Sequence, residues 1–156
     1  MITILFFLSS LISLPPFSQA ANDGETDTIL AAAESHFQAI KDSSYREIWA
    51  LLTVKSRKTI TGELSKSLKG TYSREQIAAD FAIGGMLARS YWDRFRSTFD
   101  PDTVLEESRW EMGRQRGRKA EIIITHKNAE RPAILKMYRQ EGGWKVGLVE
   151  TFWTRK

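Results

Sequence analysis

The stretch AILKMYRQEGGWKVGLVETFW, residues 133–153, decides the fold. Apolar and polar side chains alternate on both sides of Gly142-Gly143, and a two-residue glycine pair between alternating runs is a hairpin signal. The pattern predicts strands over 132–141 and 144–153. Working back toward the amino terminus, the same period of two predicts strands over 119–127 and 103–112. A basic loop at 113–118 and the turn from Asn128 to Arg131 join them. Four strands linked in sequence by short turns form an antiparallel meander.

Upstream the period changes. Ile29, Ala32, Ala33, His36, Phe37 and Ile40 recur at helical spacing, and Thr26 or Asp27 can cap that helix. Asp42-Ser43-Ser44 breaks the run. A second helix carries Tyr45, Ile48, Trp49 and Leu52 toward Ile60, and Leu64 and Leu68 suggest another amphipathic turn before Gly70. Ser73 to Gln76 has capping-box spacing. From there Ile77, Phe81, Gly84, Ala88, Trp92, Phe95 and Phe99 make one stripe down to Asp100-Pro101, where a helix must stop. Gly84-Gly85 inside that helix costs about 1 kcal/mol per glycine, so close approach of another backbone is expected there. Helices followed by a meander give an α+β fold, with the helices over 27–100 packed on one face of a sheet over 103–153.

Alternation sorts the sheet residues. Trp110, Met112, Ile122, Ile124, Leu135, Met137, Val146, Leu148 and Phe152 share the inner face. Glu107, Arg109, Glu111, Glu121, Thr125, Lys136, Lys145 and Thr151 lie outside, with Ile123, Ile134, Tyr138, Val149 and Trp153 among them. That much apolar surface outside suits a homodimer formed through the outer sheet face. A turn at Gly142-Gly143 sets Met137 opposite Leu148 and Leu135 opposite Glu150. Matching faces then puts Ile124 beside Leu135, Trp110 beside Ile122 and Glu106 beside His126. Glu106, Ser108, His126 and Glu150 thus gather at one end of the inner face. Opposed Cβ atoms lie about 5 Å apart, so Glu106 can hydrogen-bond His126 and raise its pKa. Glu106, His126 and Glu150 are the candidate acid–base residues. His36, on a buried stripe, reads as a hydrogen-bonded core residue rather than a ligand.

The chain begins MITILFFLSSLISLPPFSQA. An apolar run from Ile2 to Leu14 is too short for a bilayer span, which needs roughly 20 residues. With Pro15-Pro16 and the small-residue exit Ser18-Gln19-Ala20 it reads as an export signal cleaved after Ala20. Without Lys or Arg ahead of the run, retention as an anchor stays open. Residues 21–26 are a polar lead-in, and 27–156 form one domain. The expected product is exported, most readily to a periplasm.

The 156 residues contain no cysteine and two histidines, so disulfides, thiolate sites and cysteine nucleophiles are excluded and a His-rich metal site is disfavoured. No metal or cofactor is expected. No phosphate-loop, dinucleotide, zincin or nucleophile-elbow motif is present. The net charge of +4 lies in the second part of the domain, densest at Arg114, Arg116, Arg118 and Lys119. A cluster of that kind can meet phosphate or anionic head groups. Nucleic acid is not an expected partner of an exported protein.

The helical phrase HFQAIKDSSYREIWALLT and the closing YRQEGGWKVGLVETF resemble the nuclear transport factor 2-like superfamily, specifically its small exported members. The resemblance spans most of residues 27–153. It implies a cystatin-like cone, a curved sheet with a hollow roofed by helices. The wholly helical reading of 61–100 departs from the family, which places a short hairpin or strand there. The family's catalytic carboxylate or His–Asp positions find no match here, so no role is transferred. The hollow would be lined by Trp92, Trp110, Ile124, Leu135, Met137, Leu148 and Phe152. The leading expectation is a non-enzymatic module that binds a small apolar or amphipathic ligand, or a protein partner. The alternatives are an isomerase or dehydratase using the Glu/His pair, and a binder of anionic lipid or polyanion through 114–119.

Overall fold

The computed structural model describes residues 17–153. Most of the export segment lies outside them. Seven helices and four strands follow in order: α1 (Phe17–Lys41), α2 (Tyr45–Ala50), α3 (Val54–Ser67), α4 (Arg74–Ile83), α5 (Met86–Arg96), α6 (Pro101–Leu105), β1 (Ser108–Arg116), β2 (Lys119–His126), β3 (Ala133–Gln140), β4 (Gly143–Val146) and α7 (Leu148–Phe152). The fold is α+β, an open antiparallel sheet of order β1-β2-β3-β4 with helices packed against it. Among the described residues, no helix is long and apolar enough to cross a membrane.

The stripe on α1 sits where its spacing puts it, although the helix begins at Phe17, so the lead-in 21–26 is helical and neither Thr26 nor Asp27 caps it. Ile29, Ala33, His36, Phe37 and Ile40 are all buried. They meet Ile48 and Leu52 from the next segment, Ile77, Phe81 and Trp92 from α4 and α5, and the sheet's Ile122, Leu135, Met137 and Val146 in one apolar cluster. Phe37 is T-shaped to Trp110 at 5.7 Å and stacked on Phe99 at 5.8 Å, tying α1 to the β1 side of the sheet.

Four readings from the sequence are corrected. The helix from Tyr45 to Ile60 is two helices. Thr53 breaks it by accepting from the Ser56 amide as the N-cap of α3, and Thr53 and Leu51 hydrogen-bond Val146. This segment covers the open side of β4. The long helix from Ser73 is also two. Gly84 takes the left-handed conformation (φ 66°) and ends α4, and Gly85 starts α5. The expected close approach is there: a Cβ on Gly84 would lie 3.4 Å from the Arg46 amide nitrogen and from Tyr45 Cβ. Third, the strand placed at 103–112 runs 108–116, because Asp100 and Pro101 open the short helix α6 first.

The fourth correction concerns the last strand, which stops at Val146. Residues 148–152 are helical. Gly147 donates to the Lys136 carbonyl at 2.8 Å, and Thr151 Oγ1 accepts from the Lys136 amide at 3.0 Å. The β3 backbone groups that a continued strand would have satisfied are therefore satisfied by α7. Leu148, Val149, Glu150 and Thr151 are buried in succession, which one side of a strand cannot do. Val149, expected on the outer face, belongs to the core.

Candidate functional site

The β3–β4 turn is Glu141-Gly142, with both residues at positive φ (51° and 80°) and Gln140 paired to Gly143. The turn therefore falls one residue earlier than Gly142-Gly143. Met137 pairs with Val146, Ile124 with Ala133, Trp110 with Ile124 and Ser108 with His126. Each hairpin is displaced by two residues from the expected register. Faces survive a two-residue slip, but neighbours do not.

The slip takes apart the expected acid–base cluster. Glu106 lies at the end of α6 and accepts from Lys41 Nζ at 2.6 Å, while Lys41 also pairs with Asp102 at 2.7 Å. These hydrogen bonds push the Lys41 pKa up, Asp102 contributing most. His126 pairs instead with Glu107, its Nε2 lying 3.3 Å from Oε2, and its Nδ1 accepts from the Asn128 amide at 3.2 Å. Those contacts assign the ring proton to Nε2. Lys127 shares Glu107 at 2.8 Å, and Lys127 first, then His126, holds the Glu107 carboxyl below its ordinary range. Glu150 lies on α7, buried, accepting from Thr53 Oγ1 at 2.8 Å and Ser56 Oγ at 2.7 Å. The three candidates therefore occupy three separate networks.

The expected hollow is occupied by its own lining. Trp92, Ile124, Leu135, Met137 and Leu148 are buried members of the main apolar cluster. Phe152 sits on α7 and is exposed. Trp110 is half-buried. Its Nε1 donates to the Val104 carbonyl at 2.8 Å, and its ring borders a cleft of about 320 Å³ with Leu30, Glu34, Leu105 and Ser108. His36 is a wholly enclosed core residue but not the hydrogen-bonded one expected: among the described residues neither ring nitrogen has a hydrogen-bond partner, and desolvation lowers its pKa to about 3. Among the described residues, no group of three or more His, Asp or Glu is arranged to hold a metal ion.

A different site forms on the outer face. Met112 pairs with Ile122 and Gln115 with Ala120, so β1 carries one extra residue and Gly113 and Arg114 share the place opposite Glu121. This is a β-bulge. Glycine fits the tight approach there, since a Cβ on Gly113 would lie 3.1 Å from Glu121 Cβ and 3.2 Å from its carbonyl oxygen. Strict alternation from Arg109 and Glu111 would send Arg114 and Arg116 inward. The bulge inverts the alternation and turns both outward. Lys119 pairs with Tyr138 and Glu121 with Lys136 on that same face.

Together they border a cleft of about 230 Å³ whose charged and phenolic lining is Arg114, Arg116, Lys119, Lys136, Glu121 and Tyr138. Arg114 engages the only acid, Glu121, at 3.1 Å. Among the described residues, Arg116, Lys119 and Lys136 form no ion pair. The Tyr138 ring rests on Gly147, where a Cβ would come within 2.8 Å of Cε2. Burial, then Glu150 and Glu121, pushes the phenol pKa up, so its hydroxyl stays protonated. Arg118 faces away from the lining, its Nε donating to the Arg139 carbonyl at 3.0 Å.

Sequence reasoning located Arg114, Arg116 and Lys119 but missed Lys136 and Tyr138. Gly113, a glycine within an alternating strand, was the signal for the bulge that unites them. No protein-family model matches the chain, and no curated protein or solved structure matches it.

Proposed function

We propose that the chain is an exported, non-enzymatic binding module that holds an anionic group in the cleft on its outer sheet face. One observation carries the reading: the bulge at Gly113 turns Arg114 and Arg116 toward Lys119, Lys136 and one phenol, and among the described residues three of these four cations have no carboxylate partner. Guanidinium and ammonium groups beside a neutral hydroxyl suit phosphate or sulfate oxygens. A volume near 230 Å³ suits a small phosphorylated or sulfated molecule, or one such group of a larger one. Export is inferred from the apolar leader and the small-residue exit that follows it. The cone of the nuclear transport factor 2-like superfamily belongs to the same proposal, supported by helices packed against a four-stranded meander. The packed interior favours a ligand outside that cone over one within it.

The test is a titration with inorganic pyrophosphate followed by amide NMR shifts. Shifts should concentrate in residues 114–121 and 136–138 and weaken as salt rises. Arg116→Glu with Lys119→Glu should lower affinity at least tenfold. Absence of shifts, or shifts centred elsewhere, rejects the site.

A second reading rests on the cleft beside Trp110. Its indole is pinned by the Val104 carbonyl and lines the cleft together with Leu30 and Leu105, a setting for a small apolar ligand. Quenching or enhancement of tryptophan fluorescence by such a ligand, lost in Trp110→Leu, would support it. An unchanged response in that variant would exclude it.

A further inference from the structure

Ile83 and Met86 are 75% and 71% exposed, while the other exposed large apolar side chains among the described residues, Val54, Ile134, Phe152 and Trp153, lie between 37% and 44%. Single exposed apolar residues are ordinary. These two flank the two-glycine corner between α4 and α5, and the corner is built to be rigid. Gly84 is left-handed and abuts the start of α2. The Asp80 carboxylate fills the space beside Gly85 and accepts from the Ala88 amide at 2.8 Å. Arg89 Nε donates to the Gly84 carbonyl at 3.0 Å. The fold thus holds two oily side chains outward. Arg46 and Arg89 line the shallow cleft next to Ile83, with Glu47 the one acid there. Neither arginine is in an ion pair among the described residues.

We propose that this corner seats on an anionic membrane surface. Ile83 and Met86 enter the boundary of the acyl chains, and Arg46 and Arg89 meet lipid phosphates. Two protruding side chains offer far less than the roughly 800 Å² per partner of a stable protein interface. A headgroup boundary, by contrast, accepts shallow insertion of about 5–10 Å by an apolar tip with cationic neighbours. The inference is independent of the outer-face cleft.

The absence of cysteine makes a clean test. Ala82 is exposed beside the tip, so Ala82→Cys carries an environment-sensitive fluorophore without disturbing either apolar residue. Vesicles of phosphatidylcholine with about a third phosphatidylserine should shift its emission to the blue. Phosphatidylcholine alone should do so weakly. Ile83→Ser with Met86→Ser in the labelled chain should lower the partition coefficient at least tenfold, since burying one such side chain is worth about that factor. Arg116→Glu with Lys119→Glu should leave the emission shift in place even if pyrophosphate binding is lost. An unshifted probe, an equal response in the double serine variant, or a shift that follows protein concentration without vesicles would overturn the proposal. The last outcome would mean contact with a second copy.

Discussion

The Ser56 hydroxyl donates a 2.7 Å hydrogen bond to Glu150 and accepts one of 3.1 Å from the Val149 amide, joining positions 94 residues apart in the chain. It is the clasp between the first turn of α3 and the helix that replaces the last strand. Thr53, the N-cap of α3, holds the other Glu150 oxygen. Ser56→Ala withdraws a partner from a buried carboxylate and from a backbone amide at once. A buried group left short of its partner costs about 1–3 kcal/mol. Urea unfolding should show that loss, with Ser35→Ala, at an exposed position of α1, near zero. Equal midpoints for the two variants would remove the clasp from the account of stability.

His36 makes the fold sensitive to acid. Its folded pKa is about 3 because burial penalises the charged ring, against 6.5 unfolded. Between those values the unfolded chain binds a proton that the native chain refuses, so stability falls as pH falls through that window and is unaffected above it. From pH 8 to 5 this ring alone should remove about 2 kcal/mol, most of it below pH 6.5. His36→Leu should flatten that part of the pH profile, whatever it does to stability at pH 8. Chemical denaturation at pH 8, 6.5 and 5 measures it, and parallel profiles for the two proteins would show that the ring finds a partner when protonated.

Gly147 and Gly143 lie at opposite ends of β4 and predict opposite outcomes. A Cβ at 147 would come within 3.0 Å of the Lys136 carbonyl oxygen and 2.8 Å of the Tyr138 ring, whereas at 143 it meets nothing within 4 Å. The carbonyl is backbone already bonded to Gly147, so it has little room to give. Gly147→Ala should cost about 1–3 kcal/mol, the ordinary range for overpacking. Gly143→Ala should be close to neutral. Thermal unfolding of both variants checks the pair, and a neutral Gly147→Ala would mean that Tyr138 and β3 are looser than their contacts imply.

These contrasts separate what the sequence says from what it leaves open. Alternation fixes parity, so Ile122, Ile124, Leu135, Met137 and Val146 fall on the buried face as read. It says nothing about a slip of two residues, because such a slip keeps every side chain on its face. Turn chemistry decides the slip, and at 141–142 Glu141 adopts a left-handed conformation that its residue type does not advertise. The pairing of His126 with Glu107 rather than Glu106 was lost with the register of the β1–β2 hairpin, which its own turn after Arg116 and the bulge at Gly113 set. The helical stripes on α1 and across 77–92 were legible because helical spacing is local. The helix breaks at Thr53, within 45–60, and at Gly84, within 77–92, depend on what packs opposite, Val146 in one case and Arg46 in the other. Residues 148–152 have both strand-like alternation and a helical outcome, because Thr151 supplies the hydrogen bond that β3 needs.

The outer cleft makes the last prediction, and it separates charge from hydrogen bonding. Arg116 and Lys136 face the cleft from different strands without ion pairs of their own among the described residues, so Arg116→Gln and Lys136→Gln should each weaken pyrophosphate binding about three- to tenfold, with a shallower dependence on salt than the parent chain. Tyr138→Phe keeps every charge and removes one hydroxyl. Because burial and the nearby carboxylates push the phenol pKa up, that hydroxyl is a donor throughout the neutral range. Its loss should weaken binding by a similar factor while leaving the salt dependence as steep as before. Titrations of the three variants at low and at physiological ionic strength distinguish the two effects. If Tyr138→Phe flattens the salt dependence as the charge variants do, the ring acts by placing Lys136 and Lys119, and the anion does not touch its hydroxyl.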